Sequence, residues 1–565
     1  MGVTPIWPEA TELNDSGEMT FHGRTASSLL DEFGSPLYIM DTDEVAARAR
    51  RFVAAAAKAF RNTTTHASYA GKAFLSKEVV RIVAQAGMFV DTCSLGEMRI
   101  ALAAGVPGRR LVLHGNSKSD EEIALAVEQG FAKIVVDEPE EPARIAAIAH
   151  KLGKRAKVML RVTAGIHAGG HEYISTAHED QKFGVALLPA GTPTAVLGIL
   201  DDMIAATPAV TNARIMPKRQ DAAADGIGVT EAAVAGASAI AAANQNGAAG
   251  TAAPQPVEGQ ERQHQQERRL QYDVRYPYDL HGNEVSATDH ALADAMQAVA
   301  DGPAHAVLAT IAGLSEDLEL VGIHSHIGSQ IHDASAFIEA AKRMMLLRKT
   351  FYATNAYTLP EVDLGGGYSV AYTDAEDAMD IDVELGRLAD AVTATNDALG
   401  MPAPVISFEP GRYIAAPSGV TLYRVGAIKH IDLPQGTTAQ DGKAISGRTY
   451  VSVDGGMSDN IRPALYDADY TARLANRAGA AETMLARVVG THCESGDILV
   501  HECQLPADIT RGDILAIPVT GAYGRTMASN YNQALIPAVV AVGESGAHVM
   551  IRRQTIDDLL SWDVS

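Results

Sequence analysis

The stretch HASYAGKAFLSKEVVRIVAQAGMFVDTCSLGEMRIALAAGVPGRRLVLHGNSKSDEEIALAVEQGFAKIVVD (His66–Asp137) alternates short β-rich runs with longer amphipathic ones. His66–Ala70, Met88–Thr92, Leu111–His114 and Lys133–Asp137 read as strands, and Ser76–Ala86, Leu95–Ala104 and Asp120–Gln129 as helices. The helical runs stop at Gly87, Gly105 and Gly130, the residue type best suited to a left-handed helix end. Strand–helix–strand units in series imply parallel pairing, because only a crossover brings the next strand back in the same direction.

The same rhythm runs on in the C-terminal direction. Pro139–Leu152 is a helix stopped by Gly153, and Ala334–Thr350 is another; Lys157–Val162, Leu318–His324, Glu361–Leu364 and Val405–Glu409 complete eight strands. The expected fold class is therefore α/β, a (β/α)8 TIM-type barrel over residues 45–415, with chemistry at the C-terminal ends of its strands. Beyond Tyr413 the runs YRVGAIKHIDL, RTYVSVDGG, ARVVG, DILVHE, DILAIPV and AVVAVG predict a mostly antiparallel, sandwich- or barrel-like β domain over 416–565. Within the N-terminal segment 1–44, LYIMD (Leu37–Asp41) is expected to join that domain. The barrel rhythm is interrupted at about 190–305 by an insertion. Its middle, Asn244–Arg269, is rich in Ala, Gln, Gly and Pro and cannot bury much apolar area, so disorder and a role as a solvated tether are expected there.

Composition narrows the function classes. A net charge of −23 in 565 residues repels nucleic acid and anionic membrane surfaces, so neither is an expected partner. No apolar run is long enough to cross a bilayer. The N-terminus lacks the basic start and apolar stretch of a signal peptide, and Ile6 stands where a myristoylation signal needs Ser or Thr. Three cysteines (Cys93, Cys493, Cys503) do not make a disulfide framework; a cytoplasmic protein is expected.

Four motifs fall at the ends of four different predicted strands. Lys72 in SYAGKAF could be a nucleophilic amine or an ordinary surface lysine. In GIHSHIGSQ, His326 could lie against an aromatic ring and Ser329 could hold a phosphate oxygen; a structural histidine and a zinc pair with His324 are the alternatives. The glycines of DLGGGYS (Gly365, Gly366, Gly367) allow backbone N–H groups close to an anion, in a barrel loop that often binds phosphate. In SFEPGRY, Glu409 could face a protonated pyridine nitrogen, and Gly411 and Arg412 a phosphate or carboxylate. The β domain adds Arg462 and Tyr466 in IRPALYDA, Cys493 and Glu494 in THCESGD, and Tyr523 in GAYGRTM. Each taken alone also suits a structural role; convergence on one barrel face favours a site. His167, His171 and His178 cluster without a metal-ligand spacing and read as loop residues, and no metal is expected.

With YAGKA, HEYISTAHEDQKFG, GIHSHIGSQ, DLGGG, EPGRY, IRPALYDA, CESGD and GAYG…NYN together, the chain resembles the diaminopimelate decarboxylases, among the alanine racemase-like (fold type III) pyridoxal 5′-phosphate enzymes. The resemblance runs from about Pro36 to the C-terminus, the insertion excepted. It implies decarboxylation of meso-2,6-diaminopimelate to L-lysine, the last step of lysine biosynthesis, by a homodimer whose active sites are shared. By matching motif, Lys72 would hold the cofactor covalently, His326 would stack on its ring and Glu409 would hold its ring nitrogen. Ser329, Gly365, Gly366, Gly367, Gly411 and Tyr523 would bind phosphate; Arg412, also counted with the cofactor residues, would join Arg462 and Tyr466 on the substrate's distal carboxylate, with Tyr523 nearby and Glu494 beside the distal amine. Cys493, donated by the partner subunit, would be the general acid, and Asp91 and His114 would line the site. The rival readings are a decarboxylase of this fold acting on ornithine, arginine or a carboxylated polyamine, and a non-catalytic regulatory homologue. A racemase fits less well, because CESGD puts Cys and Glu where a racemase needs a tyrosine base.

Overall fold

The computed structural model describes residues 4–166, 182–206 and 286–565. The eight expected strands are present: Thr65–Ala70, Phe89–Thr92, Leu111–Leu113, Lys133–Val136, Ala156–Thr163, Leu318–His324, Glu361–Asp363 and Val405–Phe408. They are called strands one to eight below. Every neighbouring pair is parallel, and Ile406, Ser407 and Phe408 of strand eight pair with Thr65, His66 and Ala67 of strand one, which closes the barrel. Local signals place the surrounding helices. Ser76, Ser94 and Ser119 each accept a backbone N–H at a helix start, and Gly130 ends Asp120–Gln129 in the left-handed conformation.

The barrel interior is not purely apolar. Lys133 of strand four donates to Glu361 of strand seven and stands 3.4 Å from Asp363, while Ser407 of strand eight also donates to Glu361. Buried charges of this kind are tolerated only when paired, so the network fixes which faces of strands four, seven and eight point inward.

The insertion's edges are helical. Ile199–Ala206, Ala287–Ala300 and Pro303–Gly313 lie between strands five and six, and the second starts with a capping box of Ser286 and Asp289. Ala295, Met296 and Val299 give that helix a buried face. The low-complexity stretch Asn244–Arg269 and the histidines His167, His171 and His178 lie outside the described residues, as does most of HEYISTAHEDQKFG.

The second unit is a nine-stranded sheet whose spine is Gly419–Asp432. The first half of that strand pairs with Ile514–Pro518 and Leu37–Asp41; past a bulge between Val425 and Ile428, the second half pairs with Gly447–Val453. The long strand therefore turns the corner of a barrel-like sheet. Most pairings are antiparallel; Gly447–Val453 with Thr483–Val489, and Ala538–Gly543 with Leu37–Asp41, are parallel. Among the described residues no helix is long and apolar enough to cross a membrane.

Leu37–Asp41 is buried along its whole length between two strands that come from the other end of the chain. Ile39→Ala therefore removes packing from the middle of the sheet and is expected to cost about 2–5 kcal/mol, read as a fall in the chemical-denaturation midpoint. An unchanged midpoint would contradict the placement of this strand in the core.

Candidate active site

Lys72 stands just past strand one, and the turn that carries it is fixed from two sides. Gly71 N–H donates to the Asp91 carbonyl (3.0 Å), and the Ala73 carbonyl accepts from Tyr523 N–H (2.8 Å) and the Thr526 hydroxyl (3.3 Å). Tyr523 reaches Ala73 from the β domain with a left-handed φ of +57°, a conformation a tyrosine keeps only when its surroundings impose it.

A cleft of about 480 Å³ opens over these groups. Lys72, His326, Ser329, Gly366, Gly367, Glu409, Gly411, Arg412, Arg462, Tyr466 and Tyr523 line it, together with Gln330, Tyr368, Tyr372, Glu376, Asp467 and Asp469. Strands one, six, seven and eight and the β domain thus meet at one place, as the sequence leads one to expect. Gly365 lies behind the wall; with φ +73° it brings loop seven against strand six, and a Cβ on Gly366 would stand 2.4 Å from the Glu409 carbonyl oxygen. Only glycine permits that approach.

Glu409 follows strand eight and is 9% exposed. Its Oε1 stands 3.1 Å from His324 Nε2 and 3.2 Å from His114 Nε2. Burial pushes the carboxyl up, but the two imidazoles more than offset this and hold it well below the usual carboxylate range. Asp91, 3.6 Å from His114, goes the other way: burial and the Glu409 charge push it up to about 6. Burial alone would lower His114, but Glu409 and Asp91 raise it. His114 therefore supports Glu409 from the end of strand three, Asp91 of strand two stands beside His114, and neither lines the cleft. His326 accepts the Gly366 N–H at Nδ1 (3.2 Å), and burial with the nearby Lys72 and Arg161 charges holds it well below the usual histidine range. It is a neutral ring.

Arg412 begins a short helix after strand eight. It donates to the Ser329 hydroxyl (2.8 Å) and to the Tyr372 hydroxyl, with its guanidinium 4.6 Å from the Tyr523 ring centre. Arg462 and Tyr466 bracket the helix Arg462–Tyr466 of the β domain. Arg462 is 6% exposed and donates to the Tyr470 hydroxyl.

Cys493 and Glu494 are not brought to this cleft. Both are exposed, with Cys493 N–H donating to Asn532 (3.3 Å) and the Glu494 carboxylate taking Ser495 and Gly496. The sequence reading missed His324, Tyr372 and Glu376. His324 was weighed only as a zinc ligand, although its position at the end of strand six marks it; Tyr372 and Glu376 lie beyond the glycine triplet and carry no motif of their own.

The residues present fit a phosphorylated aromatic aldehyde. A lysine amine, a neutral imidazole and a buried ionised carboxylate share one cleft beside a glycine loop, and Glu409 Oε1 receives no well-aligned hydrogen bond among the described residues. The family model for the pyridoxal binding domain of pyridoxal-dependent decarboxylases matches residues 44–197 and 302–416. A diaminopimelate decarboxylase of Corynebacterium efficiens is 36% identical over 559 residues, covering 99% of this chain and 94% of that protein. One of Bacillus subtilis is 30% identical over 98% of this chain and 96% of its own length. The M. jannaschii diaminopimelate decarboxylase, solved in complex with L-lysine, superposes with a TM-score of 0.69 at 24% identity, covering 99% of this chain and 98% of that one, which is a likeness of fold. A full-length match at this identity, on a barrel whose strand ends carry the expected lysine, histidine, glycines and glutamate, shows that the chain belongs to the diaminopimelate decarboxylase family of pyridoxal-dependent enzymes.

Proposed function

We propose that this chain removes one carboxyl group from meso-2,6-diaminopimelate, releasing carbon dioxide and L-lysine, with pyridoxal 5′-phosphate held on Lys72. The observation that carries the choice of substrate is the pair Arg412 and Arg462. Two guanidiniums meet in the cleft that contains Lys72, and among the described residues neither has a carboxylate at ion-pair distance. Two such cations, one of them buried, call for an anionic group on the far end of the ligand. Diaminopimelate supplies a carboxylate there. Ornithine supplies an ammonium and would leave buried donors unpaired.

When bound, the cofactor supplies an electron sink for the electron pair left by the departing carboxyl group. The side chains divide the remaining work. Lys72 anchors the cofactor. Glu409, kept ionised by His114 and His324, holds a proton on the ring nitrogen. We read these three groups, whose ligand atoms lie within 4.8 Å of one another, as a charge clamp rather than a metal site, because Glu409 then faces that nitrogen. Neutral His326 would lie against the ring face. Ser329, Gly366, Gly367, Gly411 and Tyr523 would hold the phosphate, with Gly365 shaping the loop behind them, while Arg412, Arg462 and Tyr466 would take the distal carboxylate.

Proton delivery to the reacting carbon falls to Cys493 of a second copy of the chain, with Glu494 beside the distal amine. In support, both residues are exposed and outside their own chain's cleft, and Tyr531, whose ring packs against His492, and Leu465, the chain neighbour of the cleft residue Tyr466, present exposed apolar surface (41% and 49%). The assembly proposed is thus a homodimer with shared sites. All three cysteines are free thiols, which suits a cytoplasmic location.

Lys72→Ala is expected to abolish the borohydride-fixed cofactor seen by mass spectrometry; a cofactor still fixed on the variant would place the anchor on another lysine. Cys493→Ala should keep the cofactor absorbance and lose turnover by roughly 10²–10⁴-fold, and full activity would exclude it as the acid. Carbon dioxide release should be faster from meso-diaminopimelate than from ornithine at equal concentration. The reverse order would move the chain to the ornithine decarboxylases.

A further inference from the structure

Tyr372 lines the substrate cleft, yet it is almost fully buried, 4% exposed. Its hydroxyl accepts from Arg412. The Arg462 guanidinium lies over its ring, 4.5 Å from the centre. Tyr470 stands edge-on to it (centres 5.2 Å apart, planes at 74°), and the Tyr470 hydroxyl takes a hydrogen bond from Arg462. One phenol from the loop after strand seven therefore sits between the two arginines, the first from the barrel and the second from the β domain.

This arrangement does two things. A guanidinium on an aromatic face is held there by the ring quadrupole, so Arg462 is fixed in place before any ligand arrives. The Tyr372 hydroxyl, with Arg412 on its oxygen, still has its own proton to give, and it makes no other hydrogen bond among the described residues. A phenol that accepts from a cation becomes a stronger donor. A carboxylate lodged between Arg412 and Arg462 is the acceptor that completes the set.

We propose that Tyr372 is a specificity-determining residue: its hydroxyl donates to the substrate's distal carboxylate, and its ring aims Arg462 at the same group. The proposal rests on the diaminopimelate reading above. It is tested by measuring the binding of L-lysine and of cadaverine, which differ only by that carboxylate, to the pyridoxal phosphate-loaded wild type and to Tyr372→Phe. The variant keeps the ring and loses the hydroxyl. L-Lysine affinity is expected to fall about tenfold, with cadaverine affinity and the cofactor absorbance unchanged. Unchanged L-lysine binding overturns the proposal, and so does an equal loss for both ligands, since a general distortion would produce it. A variant that no longer loads the cofactor overturns it too, because Tyr372 would then be serving the cofactor. Failure of the underlying reading is seen separately, before any substitution, as a wild-type enzyme that binds cadaverine as tightly as L-lysine.

Discussion

A charged carboxylate inside a barrel is costly unless something nearby makes the charge favourable, and Glu409 is such a group. It sits among further acids, Asp91 and Asp363, whose own ionisation its charge opposes. His324 and His114 are what keep it ionised. These side chains come from the ends of strands eight, two, seven, six and three, so the charge state of one residue depends on the register of most of the barrel. A slip of one residue in strand eight would turn Glu409 to the other face of the sheet. The buried contacts of Lys133 and Ser407 to Glu361, deeper in the same barrel, oppose that slip.

The site also depends on the docking of barrel and β domain. The turn carrying Lys72 is tied through the Ala73 carbonyl to Tyr523 and Thr526 of the β domain. Arg412 comes from one unit and Arg462 from the other, with Tyr372 between them. The proposed anchor for the cofactor and the proposed grip on the substrate thus share one set of contacts between barrel and β domain. Loss of that docking would affect both together.

Much of this was legible in the sequence because its signals are local. Alternating β-rich and amphipathic runs, capping serines and terminal glycines set out the barrel, and strand ends carrying Lys72, His326, Gly365–Gly367 and Glu409 marked the site. LYIMD was readable as a strand, but its parallel partner Ala538–Gly543 was not, because no local pattern encodes a contact between the two ends of a chain. The helices Ile199–Ala206 and Ala287–Ala300 were hidden by the polar, alanine-rich stretch that surrounds them. Tyr372 and Tyr470 carry no signal in the sequence, and His324 shows there only as a zinc option, for a different reason. Each matters through what it touches, an arginine or a buried carboxylate supplied by another element, and residue type alone does not reveal that.

The role proposed for Glu409 is electrostatic: held ionised, it would keep a proton on the cofactor's ring nitrogen. The most direct measurement is the ¹⁵N chemical shift of ring-labelled pyridoxal phosphate in the wild-type enzyme and in Glu409→Gln. The account predicts a protonated pyridine signal in the wild type that moves to the neutral position in the variant. A neutral signal in the wild type, or a protonated one that survives the substitution, would contradict it.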